Sequence, residues 1–447
     1  MSFLDDCRGL VGIDSTPSHG NLEAAEFVAD LCRAAGLFVE MQRESLEGVD
    51  QCNVLARPQP ETPKQELMLQ THLDTVDAGH FSQWTKTQSN PFNASIYDDS
   101  IFGLGTADTK LDFLCKLEAA REFLGKSLKM PFVLAATFGA QNGMAGAIKL
   151  IRRKKINATK ALIGEPTNMR LVHAGMGLAV VEISVPFSDE ERTYRRNHDL
   201  QESASSQSRF FSGRASHSSA PRLGDNAILK MLEYLSHLPE GIAIMDLNGG
   251  INYNSVPASA VLEIDMVAGF RNPILPKITK IYRGLQVLED ELCRFNEEGF
   301  DPPHPTINLG MVRTSEHEIR FTGSCRLPPS VTDEVYERWM AGFNRSVQAA
   351  GATFSVKDYR KGFVAKPGSE FIEGLQGILR DMNLNAELNK ITLASEANVF
   401  SRLGIECLVW GPGQSIGNSH APNENIKISD LRAATEFYKR SIERFCL

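Results

Sequence analysis

Met68-Leu69-Gln70-Thr71-His72-Leu73-Asp74 is a short apolar run that ends in a histidine and an aspartate. Three other apolar, strand-like runs also precede a residue of a type that binds metals: 101–105 before Asp108, 160–164 before Glu165, and 407–411 before His420. In an open α/β sheet, ligands collect in the crevice beyond the carboxyl ends of the strands. Imidazoles and carboxylates from four such ends therefore predict one zinc-type site with nitrogen and oxygen ligands.

A fifth strand-like run, 133–137, differs from these four because no acid follows it. It leads into Gly139, Ala140, Gln141 and Asn142. A neutral amide coordinates a metal weakly, and alanine has no atom to offer. Neither side chain can accept a proton in catalysis near neutral pH.

Length and charge narrow the class of protein. At 447 residues the chain is too long for one ordinary hydrophobic core, which predicts two or three domains. The formal charge of -8 argues against nucleic acid as the main partner. No apolar run approaches the roughly 20 residues that span a bilayer, and residues 1–6 lack the pattern of a secretory signal. We therefore expect no membrane partner.

The eight cysteines are scattered along the chain without a C-x-x-C pair. This spacing is typical of reduced thiols, and not of a disulfide framework or a cysteine zinc site. Together with the missing signal, it predicts a cytoplasmic protein.

Residues 1–178 alternate strand-like and helix-like segments, which predicts an α/β fold with a mainly parallel sheet and helices on both faces. The predicted strands are 54–56, 66–70 and 132–137, and the predicted helices are 21–35, 111–124 and 144–153. The same α/β pattern returns near the C-terminus. We predict one metal-binding catalytic domain made of residues 1–178 and 362–447.

The region 179–361 has a different pattern, because its apolar and polar residues alternate as in half-exposed antiparallel strands. Its predicted elements are helices at 226–238, 275–295 and 331–349 and hairpins at 249–265 and 306–326. The polar segment 188–208 predicts a mobile insertion. We predict an inserted α+β lid domain, enlarged because a four-strand, two-helix layer needs only roughly 80–100 residues.

Four motifs follow one another along the chain. They are His-x-Asp at 72–74, Gly-x-x-Asp-x-Lys at 105–110, an acid at 165, and Gly-x-Gly…His-x-x-x-Glu at 411–424. In this order the chain resembles the zinc metallopeptidase and amidohydrolase family of acetylornithine deacetylase, succinyl-diaminopimelate desuccinylase, aminoacylase and carboxypeptidase G. The resemblance implies that the metal ligands are His72, Asp108, Glu165 and His420. It also implies that Asp108 bridges two zincs and that Asp74 orients His72.

The inserted region carries further motifs of that family. The segment 213–221 resembles its lid histidine motif and places His217 there, and 249–257 resembles its lid asparagine motif and places Asn254 there. The resemblance implies that both residues contact substrate and developing negative charge. Arg360 and Lys361 stand where relatives often hold a substrate carboxylate, although a solvated surface pair is the alternative interpretation.

The chain departs from the family at the fifth strand end, where relatives usually read Asp-Glu-Glu-x-Gly. Alignment on 143–147 puts Ala140 at the general-base position and Gln141 at a ligand position of the second zinc. A shift by one residue puts Gln141 and Asn142 there, and neither register supplies a carboxylate. We therefore expect one zinc, with the second site weakened. Glu396 is the obvious stand-in for the base, because relatives carry an acid near that place; the alternatives are another group or bulk solvent.

Two functions follow from this pattern. The first is a zinc-dependent hydrolase of the amide bond in an N-acyl amino acid or short peptide, with weak or absent activity. The second is a non-catalytic family member that binds an amino-acid-like ligand or a partner protein. Relatives with a simple lid pair through it into homodimers. Because the lid here is enlarged, we predict a monomer in which His217 and Asn254 face the chain's own cleft.

Overall fold

A computed structural model describes residues 2–197, 207–239, 242–266 and 274–447. The chain forms two compact units. The first unit contains the described residues up to Ala174, together with Phe363–Lys390 and Ser395–Leu447. The second unit contains Gly175–Gly362 and Ile391–Ala394. These divisions lie close to the boundaries predicted at 178 and 362, and the short return of 391–394 to the second unit was not predicted.

The helices of the described residues have the following bounds: α1 (Phe3–Val11), α2 (Leu22–Ala35), α3 (Lys110–Arg121), α4 (Ala145–Arg152), α5 (Asp189–Asn197), α6 (Ala227–Ser236), α7 (Ile274–Cys293), α8 (Asp333–Ala349), α9 (Glu370–Asp381), α10 (Ala397–Phe400) and α11 (Ile428–Cys446).

The strands have these bounds: β1 (Phe38–Leu46), β2 (Val49–Arg57), β3 (Glu66–His72), β4 (Ser95–Tyr97), β5 (Ser100–Phe102), β6 (Phe132–Thr137), β7 (Ala158–Ile163), β8 (Leu171–Gly175), β9 (Gly177–Pro186), β10 (Gln207–Ser212), β11 (Ser216–His217), β12 (Ile242–Gly249), β13 (Ser255–Val256), β14 (Ser259–Met266), β15 (Thr306–Thr314), β16 (Glu318–Leu327), β17 (Thr353–Arg360), β18 (Phe363–Val364), β19 (Leu388–Ile391), β20 (Glu406–Val409) and β21 (Asn425–Lys427).

The first unit is built on a sheet with the strand order β1-β2-β6-β3-β7-β20-β8-β18, and β19 pairs with β8. The four central strands β6, β3, β7 and β20 run parallel to one another. The strands on either side, β2 and β8, are antiparallel to these neighbours. Strands β3 and β6 are buried at every residue, as expected for parallel strands covered on both faces. The predicted fold class is confirmed.

Helix α3 is buried on every side, with ten buried residues. The buried residues include the charged side chains of Lys110, Asp112 and Lys116. Burying a charge is costly unless it is paired and hydrogen-bonded. These three residues must therefore find partners inside the first unit.

The second unit contains an antiparallel sheet with the order β10-β14-β12-β15-β16-β9-β17. Inward-facing apolar residues of β9 alternate with partly exposed polar ones, and they join the apolar faces of α6, α7 and α8 in one core. The hairpin predicted at 306–326 is formed by β15 and β16. The hairpin predicted at 249–265 corresponds to the pair β12 and β14.

One local prediction was wrong. Asp108 does not follow a strand of the main sheet, because β5 pairs with β4 and β21 in a separate three-stranded sheet. The segment 188–208, which was predicted to be a mobile insertion, contains α5 at Asp189–Asn197 and the start of β10, and residues 198–206 lie outside the described residues. No helix among the described residues is long and apolar enough to cross a membrane.

Candidate metal centre

Three side chains from separate parts of the first unit meet at one end of the central strands. His72 is the last residue of β3, and Glu165 follows the neighbouring strand β7 after one glycine. Asp108 lies in the loop between β5 and α3. Each of the three offers a ligand atom, and these atoms lie within 4.8 Å of one another. One imidazole nitrogen and two carboxylates form a donor set that suits zinc.

The Asp108 carboxylate lies between two histidines. Its Oδ1 atom is 3.1 Å from His72 Nε2, and its Oδ2 atom is 2.7 Å from His420 Nε2. Glu424 stabilises the loop that carries Asp108, because its Oε1 atom accepts hydrogen bonds from the backbone N–H groups of Ala107 and Asp108 at 2.8 and 3.1 Å. The structure thus brings His420, which comes from the loop between β20 and β21, to the side of the Asp108 carboxylate opposite His72.

Asp74 has two sets of contacts. The His72 ring donates from Nδ1 to the Asp74 backbone carbonyl at 3.0 Å, which aims Nε2 at Asp108. The Asp74 carboxylate accepts hydrogen bonds from the backbone N–H groups of Ala140 and Gln141, at 3.1 and 3.0 Å. Asp74 therefore fixes both the ring of a candidate ligand and the loop that follows β6.

That loop presents an amide, and no carboxylate, to the histidine on the far side of Asp108. Gln141 Nε2 lies 3.2 Å from His420 Nε2. Asn142, by contrast, lines a cavity of about 130 Å³ together with Ser15, Gln51, Asp74 and Gly139. The side chain next to His420 is thus that of Gln141.

Burial and mutual charges shift the protonation of this cluster. Burial alone would lower the pKa of His72, but its bonds to Asp108 and Asp74 outweigh burial and hold that pKa well above the usual value. The pKa of His420 is raised in the same way by Asp108, against the effect of burial. Burial raises the pKa of Glu165 to about 8, helped by the neighbouring charge of Asp108. Metal binding must therefore displace protons here.

Glu396, the residue before α10, is buried in the same region of the first unit. Its Oε2 atom accepts hydrogen bonds from Thr137 Oγ1 at 2.7 Å and from the side chain of Gln70. Its Oε1 atom is buried and has no hydrogen-bond partner among the residues that the structure describes. Burial raises the pKa of Glu396 to about 7, and the charges of His72 and Asp74 also act on it.

The lid residues predicted from sequence lie in the second unit. His217 Nδ1 is 2.7 Å from Ser219 Oγ, and β11, which His217 ends, pairs with β13. Asn254 Oδ1 accepts hydrogen bonds from Ser218 Oγ at 3.1 Å and from Arg326 Nη2 at 2.7 Å. The short pairing of β11 with β13 therefore brings the histidine and asparagine segments together.

Arg326 is a candidate functional residue that sequence reasoning missed. It lies in β16, is 3% exposed, and burial lowers its pKa to about 10. Its Nε atom is buried and has no hydrogen-bond partner among the described residues. In the sequence, Arg326 is a single arginine among uncharged residues at the end of a strand. No motif or spacing marks it as functional.

Arg360 and Lys361 each have an acidic neighbour inside the second unit. Arg360 is buried and pairs with Asp358. Lys361 Nζ lies 3.5 Å from Asp333 Oδ1. Arg360 is therefore not the solvated surface residue that the sequence left open as an alternative.

Comparison with known proteins agrees with this geometry. The sequence profile of peptidase family M20/M25/M40 matches residues 68–444, which include all four candidate ligands. The chain belongs to peptidase family M20/M25/M40. The resemblance predicted from the motifs is confirmed, and membership places the chain among hydrolases of the deacetylase and peptidase type.

Relatives in this family align along nearly the whole chain. Acetylornithine deacetylase of Myxococcus xanthus is 23% identical over 98% of this chain and 96% of its own, and that of Pectobacterium atrosepticum is 25% identical over 99% and 98%. Among solved structures, an M20 family metallo-carboxypeptidase from Sulfolobus solfataricus has a TM-score of 0.64 at 18% identity, covering 100% and 99% of the two chains. The aminoacylhistidine dipeptidase of Vibrio alginolyticus has a TM-score of 0.63 at 15% identity, covering 99% and 96%. The structural likeness shows a shared fold.

Proposed function

We propose that this family member is a zinc-dependent hydrolase of the amide bond in an N-acyl amino acid or a short peptide. The observation that carries the proposal is the convergence of His72, Asp108 and Glu165, whose ligand atoms lie within 4.8 Å of one another. The relatives support the substrate class, because by name they are an acetylornithine deacetylase, an aminoacylhistidine dipeptidase and a metallo-carboxypeptidase.

His72, Asp108 and Glu165 would hold one zinc, and their charges suit a divalent cation. When bound there, zinc supplies Lewis acidity for a carbonyl group and lowers the pKa of water toward roughly 7. His420 and the Oδ2 atom of Asp108 would form a second site with Gln141. An amide in place of a carboxylate removes one negative charge from that site, so we expect it to bind metal more weakly than the first.

The proton acceptor is the weakest part of the proposed machinery. Ala140 occupies the expected base position and carries no proton acceptor. We assign the stand-in role to Glu396, because its Oε1 atom is buried without a partner among the described residues and its pKa of about 7 suits a base near neutral pH. Losing a positioned base costs ~10²–10⁴ in rate, so we expect slow turnover.

Within the second unit we assign substrate contacts to His217 and Asn254, and contact with a substrate carboxylate to Arg360 and Lys361. Arg326 supports the asparagine directly, since its guanidinium donates to Asn254 Oδ1 at 2.7 Å. A buried guanidinium with a free Nε donor is also suited to a carboxylate.

A second candidate function is ligand binding without turnover. It is favoured by the uncharged loop at 140–142, which supplies neither a base nor a carboxylate ligand. In that case the cleft would hold an amino-acid-like ligand or a partner protein and would not hydrolyse it.

Metal analysis combined with a substrate panel tests the proposal. We expect purified protein dialysed against a weak chelator to retain about one zinc per chain. The same protein should hydrolyse at least one member of a panel of N-acyl amino acids and dipeptides, and removing the zinc should abolish this activity. Two retained zincs would overturn the one-site assignment. One zinc with calorimetric ligand binding but no hydrolysis would favour the second candidate function.

A further inference from the structure

Helix α3 carries a buried pair of opposite charges that lies outside the proposed ligand set. Asp112 and Lys116 are four residues apart, their carboxylate and ammonium groups are 2.6 Å apart, and both side chains are buried. Asp112 lies only four residues after the candidate ligand Asp108. A buried ion pair gives weak evidence of a stabilising role, because neutral replacements are often as stable.

The ammonium of Lys116 is bonded to the end of β3. Its Nζ atom donates to the backbone carbonyl of Gln70 at 2.5 Å and to Thr71 Oγ1 at 2.8 Å. With Asp112 as third acceptor, every donor of the ammonium is used. These two strand residues immediately precede His72, so Lys116 fixes the backbone from which that ligand extends.

The carboxylate of Asp112 reaches two further elements. Its Oδ2 atom accepts from Thr71 Oγ1 at 2.7 Å, and its Oδ1 atom accepts from Tyr438 Oη of α11 at 2.5 Å. The same tyrosine hydroxyl lies 3.3 Å from the carbonyl of Trp410, the residue after β20. The pair is thereby connected to the strand end from which the His420 loop departs.

The end of β7 also packs against this pair. A Cβ atom added at Gly164 would lie 2.0 Å from Asp112 Oδ2 and 2.7 Å from Lys116 Nζ. The Gly164 N–H group donates to the Gln70 carbonyl at 2.7 Å, the same oxygen that Lys116 bonds. Glu165 is the next residue, so its backbone position depends on the pair as well.

We propose that Asp112 and Lys116 are positioning residues of the metal centre, which set the relative places of the strand ends carrying His72 and Glu165. The inference rests on the proposed zinc site. Groups that orient metal ligands from behind typically contribute 10–100-fold to metal affinity. Because the pair is neutral overall, removing both charges leaves the net charge beside the metal unchanged. A change in zinc affinity would therefore show that the positions of the ligands had changed.

The test compares two double variants by zinc affinity and by stability. Asp112→Asn with Lys116→Met removes the pair. The matched control, Arg57→Met with Glu66→Gln, removes another buried pair, whose Nε and Oε2 atoms are 2.9 Å apart. Glu66 is the first residue of β3 and so lies at the opposite end of that strand from His72.

Zinc dissociation constants are measured by competition with a chelating dye, and stability by urea unfolding of the metal-free chains. We expect the Asp112/Lys116 variant to bind Zn²⁺ roughly 10–100-fold more weakly than the parent. The control should stay within about threefold of the parent, even where it unfolds at lower urea. Equal zinc affinity in all three chains, or an equal loss in both variants, would overturn the positioning role. A parent chain that binds no zinc would instead refute the proposed metal centre.

Discussion

The two residues after Gly139 carry no ionisable group, although Asp74 holds both of their backbone N–H groups in place. The backbone of this loop is thus held in place at the positions expected for a general base and a metal ligand, but the side chains there carry no carboxylate. Gln141→Glu is expected to raise retained zinc from one to about two per chain, because a carboxylate would then face His420. Gln141→Met is the matched control and should retain one zinc.

Adding Ala140→Glu to Gln141→Glu should also raise kcat, by up to ~10²–10⁴, since it restores a proton acceptor. Steady-state assays on the same substrate panel measure this. If the parent chain is already as fast as the double variant, the argument from the missing base is wrong. A variant that binds two zincs and hydrolyses nothing would point to the ligand-binding function.

Glu396 should make the metal-free chain less stable as pH rises. Its pKa is raised from 4.5 in the unfolded chain to about 7 in the folded one, by burial first. Its contribution to stability is therefore complete below about pH 4.5 and is lost as pH rises through 7. The loss amounts to roughly 3 kcal/mol at about 1.4 kcal/mol per pKa unit.

Glu396→Gln cannot ionise, so its stability relative to the parent should increase by up to about 3 kcal/mol between pH 4 and pH 8. Urea unfolding in the presence of a chelator measures the difference at each pH. A difference that does not change with pH would show that Glu396 ionises in the folded chain as it does in the unfolded one.

The loop between β6 and α4 depends on Asp74. The carboxylate is the acceptor for two consecutive N–H groups. In Asp74→Asn one acceptor becomes a donor, so at least one of these bonds is lost. We expect faster hydrogen exchange at the amides of Ala140 and Gln141 and unchanged exchange within β6. Unchanged exchange at both loop amides would contradict the anchoring role.

Elements with an uninterrupted pattern were predictable from sequence, and those held by distant partners were not. The strand predicted at 132–137 matches β6 because six apolar or small residues in a row fit a strand covered on both faces. The run 101–105 before Asp108 contains two glycines, and only its first two residues belong to β5. It was misassigned because β5 pairs with β4 and β21, and β21 lies more than three hundred residues away.

The same division holds for the candidate site. His72, Asp108, Glu165 and His420 were proposed as ligands because each follows an apolar run and because their motifs occur in the order that the family shows. Asp112 and Lys116 were not found, since an acid and a base four residues apart usually indicate an exposed helix face. Only the packing of α3 between β3 and α11 shows that this pair is buried.

We predict that the protein is a monomer in solution. The lid sheet extends to β17, an edge strand whose register is interrupted by a bulge between Val356 and Asp358. A bulge and the charged side chains of Lys357 and Asp358 discourage pairing of this edge with another chain. Light scattering at micromolar concentration should give a mass near 49.3 kDa. A stable mass near twice that value would restore the lid-paired dimer.

Because β20 lies late in the sequence, the central sheet of the first unit cannot be completed until most of the chain has been synthesised. Strand β7 ends at Ile163, and its partner β20 begins only at Glu406. With synthesis at roughly 5–20 residues per second, β7 waits on the order of ten to fifty seconds for that partner. During this time a buried parallel strand has an open edge, which is a site for aggregation. A chain that stops before β20 therefore lacks the complete sheet and the loop that carries His420, although it already contains His72, Asp108 and Glu165.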